Sequence, residues 1–406
     1  MTQGDLQNDD LQVDLTSTCL LNRHIEVVVS GSIAAVESVR FVRALRRLGA
    51  RVSVLLTSGG KQFVTPTALE WASGAKVFSD FSGTESHLAQ ADACVVAPCS
   101  ANLIAKIAHG ITDSAASAKI TSYLGSGRPV MLLPTMHDSL LRAPATQANI
   151  RTVSDWAEVI GTREEEGKQK FPDPMLLADE VAHRLTRRQT GQHVLITMGS
   201  TRGYIDDVRF VTNYSTGATG TAVAQELYRN GYRTHVICGP TQVRPALATD
   251  FVSVQTHGEM AEAIDRAFKD HLLDAGVFAA SVLDYQPAEK ISGKVSSKGA
   301  ELVVRLVPTS KLLARAPKQM AAKIAFKLEV DRSEAEMDQF ASQYATAYGL
   351  SMVVGNLLKG APAAQRRASI YSFVDSFASK MDVHGNRAIA DAIAQHVQQR
   401  LARQFV

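Results

Sequence analysis

Two stretches of this chain run through the same order of events. "HIEVVVSGSIAAVESVRFVRALRRLGARVSVLL" gives an apolar run, a turn of small residues, a helically spaced segment ending at glycine, and a second apolar run. The order returns from "HVLITMGSTRG" through "GTAVAQELYRNGY" to "RTHVICGP". A strand that is apolar at every position is covered on both faces, and a helix between two such strands makes them parallel neighbours. The pattern predicts an α/β protein with two successive doubly wound, mostly parallel sheets. A length of 406 residues allows two domains, or three. We place the division near residue 188, with a polar tail over 1–23, one domain over 24–188 and a second over 189–406.

Further strands are read at "ADACVVAPC" and "RPVMLLPTM". "EEEGKQKFPDP", at 164–174, is polar and holds two prolines, so it reads as a surface loop. "MLLADEVAHRLTRRQTG" reads as a helix running into a linker. In the second domain "EMAEAIDRAFKDH" is a helix, "AGVFAASVLDYQP" a strand entering a loop, and "KLLARAPKQMAAKIAFKLEV" a helix leading into a strand. The chain closes on "LSMVVGN", a hairpin-like "ASIYSFVD" and a terminal helix.

A net charge of +3, with 20% charged and 45% hydrophobic residues, gives no reason to expect nucleic acid or membrane as a partner. Cys19, Cys94, Cys99 and Cys238 form no CxxC pair. Cys94 and Cys238 lie in or beside apolar runs and read as buried free thiols, not as a disulfide framework or zinc site. The opening residues are polar and acidic, unlike a signal peptide, and no apolar run is long enough to span a bilayer. These features predict a cytoplasmic protein with a frayed N-terminus.

Open parallel sheets bind ligands at the carboxyl ends of their strands. Four such ends in the first domain carry polar chemistry. "SGSIAA" sets Ser30, Gly31 and Ser32 where a helix begins, a place that favours phosphate. "LLTSGG" offers the hydroxyls of Thr57 and Ser58, "APCSANLIAKIAHG" offers Ser100 and Asn102, and "LPTMHDSLL" offers Met136 and His137. There is no GxGxxG and no acidic residue placed for a ribose, which disfavours a nicotinamide cofactor and leaves a mononucleotide such as FMN.

"SGSIAA", "PCSANLIAKIAHGITD" and "PTMHDSLL" resemble the flavin-binding cysteine decarboxylases. "MGSTRGYIDDVRFVTNYSTG", "AASVLDY", "GKVSS" and "VVGN" resemble phosphopantothenate–cysteine ligase. Their order resembles the fused decarboxylase–ligase of coenzyme A biosynthesis, and "MHDSLL", "EEEGKQK" and "FKLEV" resemble its archaeal type. The resemblance implies a flavodoxin-like flavoprotein domain followed by a Rossmann-like ligase domain. It implies FMN, magnesium with CTP or another nucleoside triphosphate, and the substrates 4′-phosphopantothenate and cysteine. It also implies a homo-oligomer with trimeric flavin domains and dimeric ligase domains.

For the first domain the resemblance implies oxidation of the substrate's cysteine thiol by flavin, loss of carbon dioxide from the resulting thioaldehyde, and return of the electrons. His87 is nearest to the family's histidine base, with Thr84 in its place if no deletion is allowed. His137 stands where the common type has an asparagine that contacts the substrate carboxylate, and a histidine also donates hydrogen bonds. Asn102 contacts substrate or flavin; Met136 lines the same place or simply packs. The common bacterial type has a cysteine in a closing loop, whereas this chain has "EEEGKQKFPDP".

For the second domain the resemblance implies activation of a carboxylate to an acyl-nucleotide and attack by the cysteine amine. Asn213 matches the asparagine that contacts the intermediate, and Ser215, Thr216 and Gly217 open a helix suited to an anion. Ala218 replaces the usual lysine after that glycine. Asp284 matches a nucleotide-contacting aspartate, Lys294 the catalytic lysine of a mobile loop with Lys290 as its competitor, and Lys327 and Asn356 face the nucleotide. Leu357 replaces the aspartate that usually follows Asn356. Three readings stand at this point: a bifunctional enzyme, a ligase with a silent flavin domain, and a non-catalytic flavin-binding or regulatory protein.

Overall fold

In a computed structural model the chain divides into two compact units, Met1–Thr186 and Arg187–Val406. The structure describes residues 9–81, 88–165, 168–296, 301–330, 333–358, 367–374 and 377–403. The first unit runs β1 (His24–Val29), α1 (Ser38–Arg47), β2 (Arg51–Leu56), α2 (Pro66–Ser73), β3 (Ala93–Cys99), α3 (Ala101–Ala108), α4 (Ala115–Gly125), β4 (Val130–Pro134), α5 (Asp138–Leu141), α6 (Pro144–Ser154), β5 (Glu158–Val159), β6 (Arg163–Glu165), β7 (Lys168–Lys170) and α7 (Pro174–Thr190). Five strands pair in parallel in the order β2-β1-β3-β4-β5. This is the flavodoxin order, whose chain turns back between β1 and β3 and opens a crevice there. Val27 and Val29 of β1 pack with α1 and α7 through Phe41, Leu45, Leu177 and Val181, and Val28 packs with α3 and α4 through Ile104 and Ile120.

Three local readings change. The N-terminal segment is not frayed over residues 9–23. Leu20 and Ser17 are fully buried, and the Thr16 and Leu20 N–H groups donate to the Arg47 and Leu48 carbonyls at 2.7 and 2.9 Å. Those carbonyls lie at the end of α1, where a helix has acceptors to spare, and Arg46 Nη2 in turn donates to the Leu11 carbonyl at 2.7 Å. The small-residue turn after β1 enters a 3-10 turn, Ile33–Glu37, before α1 begins. The expected loop at 164–174 contains the antiparallel pair β6 and β7. Leu20→Ala should cost about 2–5 kcal/mol, read as an earlier thermal transition of the first unit; an unchanged transition would mean that the segment is not part of its core.

The second unit runs β8 (His193–Met198), β9 (Arg202–Tyr204), β10 (Phe210–Thr212), α8 (Ala218–Arg229), β11 (Arg233–Cys238), β12 (Asp250–Ser253), α9 (His257–Asp270), β13 (Ala275–Phe278), β14 (Tyr285–Pro287), β15 (Leu306–Pro308), β16 (Ala322–Val330), α10 (Glu334–Tyr348), β17 (Met352–Leu358), β18 (Arg367–Val374), β19 (Phe377–His384) and α11 (Gly385–Ala402). The main sheet has the order β12-β11-β8-β13-β16-β17-β18-β19. Its first six strands are parallel and its last two antiparallel. The parallel part is the Rossmann order, with its reversal between β8 and β13. Val223, Leu227, Ile389 and Ile393 of α8 and α11 cover one face; Met260, Ile264, Met337 and Ala341 of α9 and α10 cover the other. The helix expected before β16 is only a 3-10 turn, Leu312–Arg315, since Pro317 cannot continue it. Among the described residues no helix is long and apolar enough to cross a membrane.

Candidate functional sites at two strand edges

At the carboxyl edge of the first sheet the strand ends are stitched together. Buried Ser30 donates its hydroxyl to the Pro98 carbonyl at 2.8 Å and accepts the Ser100 N–H at 2.8 Å, clasping β1 to β3. Thr57 donates its hydroxyl to Val29 O at 3.2 Å and accepts from the Gly60 N–H at 3.1 Å, clasping β2 to β1. The Thr135 N–H donates to Cys99 O at 3.1 Å, bringing the end of β4 alongside. Gly31 and Gly59 meet backbone to backbone, so a Cβ on Gly31 would lie 3.1 Å from the Gly59 Cα. The serine and glycine spacing of the two turns therefore follows from how closely they approach.

The remaining groups differ in exposure. Ser32 caps the 3-10 turn by accepting the Ala34 N–H at 3.3 Å, and Ser58 is exposed. Ser100 caps α3 through the Leu103 N–H, and Asn102 lies exposed in its first turn. Met136 is buried among core residues of β3 and α3. His137 is exposed, and its Nδ1 accepts the Ser139 N–H at 3.3 Å. That bond requires an unprotonated Nδ1, so the neutral ring carries its proton on the outward Nε2. His87 and Thr84 lie outside the described residues.

The carboxyl edge of the second sheet gathers around β8 and β13. Fully buried Thr201 accepts the Leu283 N–H on its hydroxyl at 3.0 Å, and its carbonyl accepts the Thr212 hydroxyl at 2.9 Å. Asn213 Nδ2 donates to the Val282 carbonyl at 3.0 Å, and the Thr309 N–H to Asp284 O at 2.9 Å. Asn213 and Asp284 thus hang from the same short segment. Asp284 makes an ion pair with Lys311, a residue that the sequence reading passed over. Gly217 has φ 76° and precedes α8 without a side-chain cap. A Cβ there would overlap Thr241 Oγ1, which donates to Thr216 O at 2.8 Å and ties this turn to β11. Ser215 and Thr216 are half-buried beside it, and Ala218 begins the helix.

The loop after β14 is anchored by two adjacent aspartates. The Gly293 N–H donates to Asp207 Oδ2 at 2.8 Å, the Val295 N–H to Asp206 Oδ2 at 3.1 Å, and Lys290 Nζ sits 2.6 Å from Asp207 Oδ1. Lys294, between those two anchors, is exposed and has no ion pair among the described residues. Lys327 and Asn356 lie on neighbouring strands, with Lys327 opposite Gly355. Lys327 Nζ is 3.3 Å from Glu329 and 5.7 Å from the Phe340 ring, and no hydrogen bond or ion pair joins it to Asn213, Asp284 or Lys294. The aspartate pair was visible in "YIDDVRF", but nothing in the sequence said what it would hold.

A flavodoxin-order unit with a hydroxyl and amide edge is followed by a Rossmann-order unit with an anchored cationic loop. A flavoprotein family model matches residues 14–186, and the model of the DNA/pantothenate metabolism flavoprotein C-terminal domain matches residues 189–401. A coenzyme A biosynthesis bifunctional protein CoaBC from Thermococcus kodakarensis is 31% identical, over 94% of this chain and 96% of its own length. Its counterpart in Methanocaldococcus jannaschii is 29% identical over 84% of this chain and 85% of its own. The crystal structure of a DNA/pantothenate metabolism flavoprotein from Streptococcus pneumoniae aligns with a TM-score of 0.45 at 22% identity, over 51% of this chain and 99% of that one. The chain belongs to the CoaBC family of bifunctional coenzyme A biosynthesis proteins.

Proposed function

We propose that the second unit joins 4′-phosphopantothenate to cysteine through an acyl-nucleotide, and that the first unit decarboxylates the product to phosphopantetheine with FMN. The observations that support this are Asn213 and Asp284 tied to one segment after β13, and the Lys294 loop anchored to Asp206 and Asp207 after β9, in a chain of this family. In ligation a carboxylate oxygen attacks the α-phosphate of the magnesium–CTP substrate and pyrophosphate leaves. The cysteine amine then attacks the acyl carbon, and the nucleoside monophosphate leaves. Asn213 orients the acyl group, and the α8 N-terminus behind Ser215, Thr216 and Gly217 receives phosphate charge. Lys294 supplies the cation at the reacting phosphate, while Asp284, Lys327 and Asn356 take the nucleotide.

The donor set at the first edge fits FMN: neutral hydroxyls of Ser32 and Ser58, the Asn102 amide, and a floor kept low by two facing glycines and held by the Thr57 clasp. The chemistry that FMN supplies when bound is two-electron oxidation of the cysteine side chain and return of those electrons. His137 holds an Nε2 proton ready to donate to the substrate carboxylate, and Met136 keeps water from the floor. Ser30 and Ser100 act by holding the two strand ends in place.

We extend the reading to a cytoplasmic homo-oligomer, trimeric through flavin domains and dimeric through ligase domains, with the domain division near residue 188. The purified chain, incubated with 4′-phosphopantothenate, cysteine and CTP or ATP, should release pyrophosphate, carbon dioxide and phosphopantetheine, identified by mass. The β6–β7 segment carries no cysteine, which favours a second reading, a ligase with a silent flavin unit. Accumulation of phosphopantothenoylcysteine with pyrophosphate would select it, and absence of any product would sink both.

A further inference from the structure

The amino-terminal edge of the second sheet lies opposite the ligation site. Here three imidazoles from three elements meet. His193 opens β8, His235 lies in β11, and His271 follows the last residue of α9. His193 and His235 project from the face covered by α9, the face of Leu195 and Ile237. One nitrogen from each of the three rings lies within 4.8 Å of the others. His193 Nδ1 is 2.8 Å from His235 Nε2. Asp250, opposite His235 on β12, sets Oδ2 2.6 Å from His235 Nδ1 and 3.7 Å from His271 Nε2. The His235 and His271 rings overlap with centroids 4.1 Å apart.

We propose that His193, His235 and His271 form a binding site for a divalent transition metal, zinc above all, with Asp250 orienting His235. Imidazole nitrogen suits zinc, copper and nickel, and a trio of histidines leaves a fourth position for water or the free Asp250 oxygen. Asp250 Oδ2 lies 2.6 Å from His235 Nδ1 without a formed hydrogen bond; on metal binding the ring turns so that Asp250 takes the Nδ1 proton and the Nε2 lone pair faces the ion, the carboxylate–histidine–metal arrangement. The ion replaces the proton shared between His193 Nδ1 and His235 Nε2. Zinc–nitrogen bonds of about 2.0–2.1 Å at a tetrahedral centre set neighbouring nitrogens roughly 3.3 Å apart. The close pair therefore opens by about half an ångström, and half-buried His271 closes in from the end of its helix. Arg233 opposes the ion: its exposed guanidinium lies 3.4 Å from His193 Nε2 and favours the tautomer with the proton on Nδ1. Bound metal brackets β8 and β11 to the end of α9, so it stabilises the second unit without touching the reacting groups.

Reading the cysteines for zinc missed this site because its ligands sit one per element, far apart in sequence. The test uses the full-length protein, stripped with EDTA, desalted and titrated with zinc chloride, then with cobalt(II) as a visible probe. One equivalent per chain at micromolar metal, a later thermal transition of the second unit and the absorption of four-coordinate cobalt are expected. His271→Ala, at a half-exposed helix end, and Asp250→Asn should each weaken binding by about 10–100-fold, and Arg233→Ala should tighten it. Failure to bind one equivalent, or uptake unchanged in His271→Ala and in the His193→Gln/His271→Ala double variant, would overturn the proposal.

Discussion

Lys294→Ala is expected to lower the kcat of ligation by about 100–1,000-fold while leaving the thermal transition of the second unit in place. Lys290→Ala should do the reverse, moving the transition and sparing most of the turnover. The two lysines differ in what already holds them. Lys290 is paired with Asp207 and lies 5.5 Å from the Tyr204 ring, and the Asp207 hydrogen bond and charge raise its ammonium above the ordinary lysine value. A cation already neutralised by a carboxylate has little left for a phosphate. Lys294 has no such partner among the described residues, but its backbone neighbours are fixed on both sides. Arg209 adds a bond from Nη2 to the Val295 carbonyl at 3.1 Å. The loop thus fixes where the Lys294 side chain starts and leaves its end exposed, as the proposed role at the reacting phosphate requires.

The anchor survives at working pH. Burial alone would raise the Asp206 carboxyl, but the N–H groups of Arg209, Val208 and Val295 outweigh it and hold the group below the usual carboxylate range. A carboxylate depressed by folding gives its full stabilisation above the unfolded value and loses it only as pH falls through the lowered one. A pyrophosphate-release assay separates the lysines, with thermal unfolding measured beside it. Loss of turnover in Lys290→Ala with an unmoved transition, and retention in Lys294→Ala, would reverse the assignment.

The strand ladder was legible because the central strands are apolar along most of their length, with buried Glu26 and Lys323 as exceptions, and most are followed by a helix of the right period. The strand order within each sheet was not, since apolar runs say which segments are buried and not which neighbours they take. That the candidate residues lie at strand ends was legible for the same reason as the ladder: a polar residue where an apolar run stops lies at the edge. What those residues do with their polar atoms was hidden. Ser30 looks like a phosphate ligand in sequence, and in the fold it bonds across to Pro98 and Ser100, almost seventy residues away. The Asp284–Lys311 pair and the histidine trio share that character, because partners so distant leave no local spacing to read. Docking of the N-terminal segment was missed because it answers spare carbonyls on α1 and not any apolar period of its own.

Lys119→Met is expected to cost the first unit about 3–5 kcal/mol, because it strands Glu26 in the sheet. Glu26 lies in the middle of β1 and is 1% exposed. Lys119 Nζ sits 2.8 Å from its Oε2, and the Tyr123 hydroxyl donates to the same oxygen at 2.9 Å while accepting the Ala91 N–H. Its other oxygen, Oε1, is buried with no hydrogen-bond partner among the described residues. Cys94 pairs with Glu26 in register, and its thiol is pushed far up, first by burial and then by the carboxylate. Removing the cation leaves a buried carboxylate with the Tyr123 hydroxyl and no counter-charge, at a cost comparable to much of a domain's stability of about 5–15 kcal/mol. The double change Glu26→Leu with Lys119→Met removes both charges and should recover most of the loss, because an apolar pair of similar volume needs no compensation. The effect should reach the flavin edge. The strand that carries Glu26 ends at the Ser30 clasp, so the single variant is expected to lose bound FMN along with its thermal transition and the double variant to regain both. Stability restored without flavin retention would mean that the buried pair sets the register of β1 and does more than neutralise its own charge.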